Sequence, residues 1–136
     1  RIAAEEAKFG FPETEVGLTI TTAGTKLLSQ IVGLGKAKER VFTGDFVDAR
    51  EALRIGLANK VVSAESLMDE ALAMALKIAE KSPLALKLSR IAIDQGLHAS
   101  FEQTLELEAG HLLTCVGAQK QDQFVNSKLK KMKLKS

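Results

Sequence analysis

Helix starts and stops follow one another from residue 24 to residue 103, and this cadence constrains the fold more than any other feature of the chain. Leu27, Leu28 and Ile31 sit at helical spacing, and Gly33 follows as a stop. Thr22 is the expected N-cap of that helix. A second helix fits Lys36 to Phe42, closed by Gly44. Asp48 opens a third, with Glu51 in capping-box position, Ala49, Ala52 and Leu53 on its apolar face and Gly56 at its end. Leu57 to Val62 reads as an extended piece. Leu67, Ala71, Ala75 and Ile78 form the stripe of a fourth helix, which stops near Lys81. Ser82-Pro83 starts a fifth, since proline suits the first helical position; Leu84, Leu88 and Ile91 share its face and Gly96 ends it. Ser100 and Gln103 form a second capping box for a sixth helix with the face Phe101, Leu105, Ala109 and Leu112. A seventh segment is expected from about Ala118 into the lysine-rich tail.

The front of the chain, residues 1–22, breaks this rhythm. Arg1 to Ala4 and Ala7 to Phe9 read as brief extended pieces, punctuated by Gly10 and Pro12. Thr19 to Thr22 suits either a strand or a loop feeding a helix. Short strands need partners, and the sequence offers none of suitable length. With Arg1 in place of a starting Met, this leads to the expectation that a sheet lies upstream.

Composition excludes several classes. At 46% apolar and 26% charged, the 136 residues suit one globular domain rather than a disordered chain. Cys115 is the single cysteine, which excludes a disulfide scaffold and suits a reducing compartment. No membrane span or signal peptide is expected. Five lysines and no acid occupy the last nine residues, so the body carries 14 basic against 17 acidic side chains. An acidic body repels nucleic acid, and the tail reads as a solvated terminus or a small anion site. His98 and His111 neighbour no nucleophile and no ligand cluster, and no metal-ligand spacing occurs.

The segment with chemical character is Phe9-Gly10-Phe11-Pro12-Glu13-Thr14-Glu15-Val16-Gly17-Leu18. Proline fixes the backbone before Glu13. Phe9, Phe11, Val16 and Leu18 are expected to desolvate its carboxylate, which suits a general acid/base. Glu15 reads as an exposed loop residue.

Phe9-Gly10-x-Pro12-Glu13-x-x-x-Gly17 resembles a signature of the enoyl-CoA hydratase/isomerase (crotonase) family. The resemblance continues in order through Gly24-Thr25-x-x-Leu28, Val32-Gly33 to Ala37, and Phe42-Thr43-Gly44-Asp45. It goes on through Asp48-Ala49-x-Glu51-Ala52 to Gly56-Leu57 and Val61-Val62, then Ser82-Pro83, and weakens after about Thr114. It implies an α/β chain: the last turn of a ββα spiral in residues 1–62, with the active-site loop, and a helical trimerisation region in 63–136.

The resemblance also implies hydration of a 2-enoyl-CoA to a 3-hydroxyacyl-CoA, with Glu13 carrying a proton at the α-carbon. Isomerisation of an enoyl-CoA, hydrolysis of a CoA ester and a non-catalytic chain are the alternatives. Pro12, Thr21, Phe124 and Lys128 are the implied substrate-side residues. No metal and no redox cofactor are implied, since coenzyme A belongs to the substrate. The implied assembly is a homotrimer or a dimer of trimers, in a bacterial cytoplasm or an organelle matrix. A second glutamate and the two N–H donors of an oxyanion hole are expected upstream of Arg1, so residues 1–136 alone are expected to be inactive. The sequence departs from the family pattern at Ile20-Thr21, in place of Pro-Gly, at Ala23, in place of Gly, and at Lys26-Leu27, in place of Gln-Arg. Ser127 stands at the lysine position of the C-terminal Phe-x-x-Lys, and Lys128 comes one residue late.

Overall fold

A computed structural model describes residues 1–133, with side chains except those of 124, 125 and 127–133. It divides into two compact units, Arg1–Leu76 and Lys77 onward.

The first unit holds four short strands. β1 (Ile2–Ala4) pairs in parallel with β4 (Lys60–Val62), Ala3 opposite Val61. β2 (Lys8–Phe9) pairs antiparallel with β3 (Val47–Asp48), Phe9 opposite Val47. The front strands thus do find partners within the chain, contrary to the expectation from their length. The partners come from segments some forty to sixty residues away, a separation that local pattern cannot reveal. Thr19 to Thr22 is not a strand.

α3 (Ala49–Arg54) packs on both ribbons, and its alanines allow the close approach. Ala49 and Ala52 are buried with Ala3, Val47 and Ala58, and Phe9, Leu57 and Val61 pack around them. Asp48 ends β3 and caps α3: its carboxylate accepts from the Glu51 N–H at 2.7 Å. The other half of the capping box is not made. The Glu51 carboxylate bonds the Arg54 guanidinium at 2.5 and 2.6 Å instead, and this holds its pKa below the usual value. Asp48→Ala is expected to cost about 1 kcal/mol of stability, the usual worth of an N-cap, read as a lower urea midpoint. An unchanged midpoint would show that the cap contributes nothing here.

α1 (Gly24–Val32) and α2 (Leu34–Thr43) meet at Gly33 and pack on each other. Leu28 and Ala37 are their buried residues. Thr22 does not cap α1: the N-cap position belongs to Ala23, with no side-chain cap bond. Thr22 and Ala23 are both left-handed, at φ 55° and 61°. That geometry takes the Thr22 side chain out of the extended backbone an N-cap requires.

α4 (Leu67–Ala79) begins in the first unit. In the second, Ser82 caps α5 (Pro83–Gly96) through the Ala85 N–H at 3.3 Å. Ser100 and Gln103 form a complete capping box, at 2.9 and 3.2 Å, at the start of α6 (Phe101–Lys133). α6 is one helix of 33 residues, so the expected seventh segment is its continuation. Gly110 and Gly117 each weaken a helix by about 1 kcal/mol and do not stop it, and no proline intervenes. Its face toward α5 also differs from the expected stripe. Thr104, His111 and Cys115 are half-buried there with Leu112 at the edge, whereas Phe101 and Leu105 of the expected stripe are 74 and 50% exposed.

Candidate active site

Leaving β2, the chain passes Gly10 and Phe11 and enters a 3-10 helix, Pro12–Val16. Gly10 lies close under the Phe46 ring: a methyl on its Cα would lie 2.8 Å from that ring and would have to displace it. Pro12 presets φ for the first helical position. Gly17, at φ 73°, closes the turn with its N–H toward the carbonyls of Glu13 and Thr14. The Leu18 N–H also donates to the Glu13 carbonyl, at 2.9 Å.

Glu13 is thereby held at both ends of its own turn. Its side chain is half-buried, and Oε2 is fully buried with no hydrogen-bond partner among the described residues. A buried oxygen of this kind is uncommon, because its desolvation is not repaid by a bond. It is suited to a partner that arrives with a ligand. The cover over this turn is thinner than the sequence suggests. Phe9 and Phe11 are half-buried, but Val16 and Leu18 are 72 and 63% exposed and do not form the expected desolvating wall.

Pro12 is exposed beside Glu13. Thr21 is exposed in the segment between the 3-10 helix and α1, and its carbonyl accepts from the Gly24 N–H at 3.1 Å. The side chains of Phe124 and Lys128 lie outside the described residues.

Left-handed backbone at Ala23 costs about 1–2 kcal/mol for any residue with a Cβ. Ala23→Gly removes that strain and gives back part of it as unfolded-chain entropy. A net gain of about 0.5–1 kcal/mol is expected, seen as a higher urea midpoint. A lower midpoint would mean that the alanine methyl makes compensating contacts.

Two groups near this segment carry no signal in the sequence. Arg40 is half-buried beside Phe9, Phe11, Leu28 and Leu57, around a cavity of about 10 Å³. Its Nε has no hydrogen-bond partner among the described residues. Thr14 donates its hydroxyl to the Val41 carbonyl of α2 at 2.8 Å. Both are tertiary contacts, which spacing along the chain does not reveal.

The second unit has a larger cavity, about 700 Å³, between α5 and α6. Leu88, Ala92, Leu97 and Leu112 line it with His111 and Cys115. His111 Nδ1 is buried without a partner among the described residues, and Cys115 is half-buried. Among the described residues no group of three or more His, Cys, Asp and Glu side chains is placed to hold a metal ion. No described helix is long and apolar enough to cross a membrane.

Residues 1–130 match the family model for enoyl-CoA hydratase/isomerase. The chain is 40% identical over 134 residues to the short-chain-enoyl-CoA hydratase of Clostridium acetobutylicum, covering 98% of this chain and 51% of that one. It is 40% identical over 133 residues to the crotonyl-CoA hydratase of Syntrophomonas wolfei, with coverage of 98% and 51%. Among solved structures it is similar to an enoyl-CoA hydratase from Bacillus anthracis. The TM-score is 0.84 at 34% identity, over 86% of this chain and 45% of that one. The chain thus spans about half the length of the curated relatives it matches. The ordered motifs from Phe9 to Pro83, the mixed α/β architecture and these matches agree: the chain belongs to the enoyl-CoA hydratase/isomerase family, with the crotonase fold.

Proposed function

We propose that this chain supplies the Glu13 acid/base carboxylate of a 2-enoyl-CoA hydratase. The observation that carries the reading is the buried Glu13 Oε2, without a hydrogen-bond partner among the described residues, on a turn fixed by Pro12 and Gly17. Two relatives at 40% identity named as hydratases of enoyl-CoA or crotonyl-CoA give it further support.

In hydration, a water oxygen bonds to the β-carbon of the enoyl thioester. The π electrons move toward the thioester carbonyl, giving an enolate. The protonated Glu13 then delivers its proton to the α-carbon, which completes the 3-hydroxyacyl-CoA. The carboxylate is returned to the acid form by the proton that the attacking water releases. General acid/base transfer of this kind contributes about 10²–10⁴-fold. On this reading the oxyanion donors and a second glutamate come from the part of the relatives outside the matched span. Preformed N–H dipoles there would hold the developing charge. Pro12 and Thr21 border the substrate, and Phe124 and Lys128 contact its coenzyme A moiety.

Residues 1–62 are then the end of the catalytic core and 63–136 the assembly region. Exposed apolar side chains on α5 and α6, among them Leu86, Ile93, Phe101 and Leu113, support a homotrimer or a dimer of trimers. We place the protein in a bacterial cytoplasm or an organelle matrix.

The test is product analysis with the complete protein and crotonyl-CoA. Formation of 3-hydroxybutyryl-CoA supports the hydratase. A shifted double bond in a longer enoyl-CoA, without hydration, transfers the proton role to isomerisation. Release of free coenzyme A thiol points to a hydrolase. Absence of all three contradicts a catalytic role.

A further inference from the structure

The structure assigns to Thr14 the role of positioning residue for Glu13: its hydroxyl ties the acid/base turn to the last turn of α2. This rests on the reading of Glu13 given above.

Thr14 follows Glu13 directly, and its Oγ1 donates to the Val41 carbonyl at 2.8 Å. Val41 lies among the last residues of α2, where helix carbonyls lack partners within the helix. The hydroxyl therefore satisfies an acceptor that the helix itself leaves open. The side chain of the next residue, Glu15, lies over the same helix end. Gly44, buried at φ 70°, donates its N–H to the Arg40 carbonyl and closes α2. A methyl on its Cα would lie 2.8 Å from Cγ and Oε1 of Glu15. Glycine is needed there for the left-handed cap.

The α2 terminus therefore grips the chain just after Glu13, while Pro12 restricts it just before. The 3-10 turn is five residues long, and short turns of this kind have weak internal bonding. An outside anchor is what keeps such a turn in one register. A carboxylate that passes a proton to a carbon must be placed to within a fraction of an ångström. A misplacement of about 1 Å costs about 10²-fold in rate.

The experiment is steady-state hydration of crotonyl-CoA by the complete protein and its Thr14→Val, Thr14→Ser, Glu13→Gln and Thr14→Val/Glu13→Gln variants. Valine keeps the shape of threonine and removes the donor; serine keeps the donor. Thr14 is exposed, so the valine variant is expected to fold, and its urea midpoint checks this. The expected result is a kcat for Thr14→Val lowered about 10- to 100-fold with KM changed less than about twofold. Thr14→Ser should stay within about threefold of the parent. In the Glu13→Gln background the valine change should cost nothing further, because positioning a group that no longer transfers a proton has no effect. A structural role elsewhere would add to the Glu13→Gln loss instead. Gly44→Ala is a second variant on the same anchor, expected to lower kcat in the same direction.

A Thr14→Val variant with kcat within about twofold of the parent, beside a crippled Glu13→Gln, overturns the positioning role and leaves the Glu13 reading intact. A rise in KM with kcat unchanged, or additive losses in the double variant, also overturns it. A fully active Glu13→Gln removes the Glu13 reading, and the positioning role with it.

Discussion

Glu13→Gln in the complete protein is expected to lower kcat for crotonyl-CoA hydration by about 10²–10⁴-fold, the usual contribution of a positioned acid/base. That range corresponds to about 3–5 kcal/mol of lost transition-state stabilisation. KM should change little, because the amide keeps the size and polarity of the side chain and loses only the transferable proton. The turn should survive, since its anchors are backbone groups, Pro12, Gly17 and the Thr14 hydroxyl rather than the Glu13 carboxylate. The amide also offers Oε1 and Nε2 where the buried carboxylate oxygen now has no partner among the described residues. A drop in kcat smaller than about fivefold would place the proton transfer on another group.

The second large effect concerns stability. Ala52→Leu is expected to destabilise the protein by about 2–3 kcal/mol, near the top of the usual range for overpacking. Ala52 is 0% exposed, enclosed by Ala3, Val47, Ala49 and Ala58. The Ala58 N–H donates to the Ala52 carbonyl at 2.9 Å, so the helix cannot shift without breaking that bond. Three added carbons must therefore push α3 away from the ribbons or adopt a strained rotamer. The loss should appear as a urea midpoint lowered by about 1 M or more. Arg50→Leu, on the exposed side of the same helix, should stay within about 0.5 kcal/mol. Equal midpoints for the two variants would mean that the alanine core has slack. Because Phe9 packs against this cluster and leads directly into the Glu13 turn, Ala52→Leu should also lower activity.

What could be read from the sequence divides along a physical line. Caps and helix stops were legible because they are local: Ser82 to Ala85 and Ser100 to Gln103 each span three residues and are made as expected, and Asp48 to Glu51 is made as a one-sided cap. The pairing of β1 with β4 was not, since Ile2 and Lys60 meet only through the tertiary fold. Thr22 has the chemistry of an N-cap but sits in the wrong backbone region, and a single sequence carries no sign of that. On α6 the larger apolar residues suggested one face, and of these Leu112 turns toward α5 together with Thr104, His111 and Cys115, while Phe101 and Leu105 do not. The turn that carries Glu13 was legible through Pro12 and Gly17. Its surroundings were legible only in part, because the exposure of Val16 and Leu18 follows from how the 3-10 turn lies on the fold. The Thr14 anchor on Val41 joins residues 27 apart and has no signature along the chain.

The central claim, that Glu13 moves the proton at the α-carbon, is tested most directly by exchange of the α-hydrogens of butyryl-CoA with D2O. This saturated thioester cannot be hydrated, so exchange isolates the proton transfer from the addition of water. The complete protein should exchange an α-hydrogen for deuterium, and Glu13→Gln should lose this exchange while still binding the thioester. Exchange at an undiminished rate in Glu13→Gln would contradict the account.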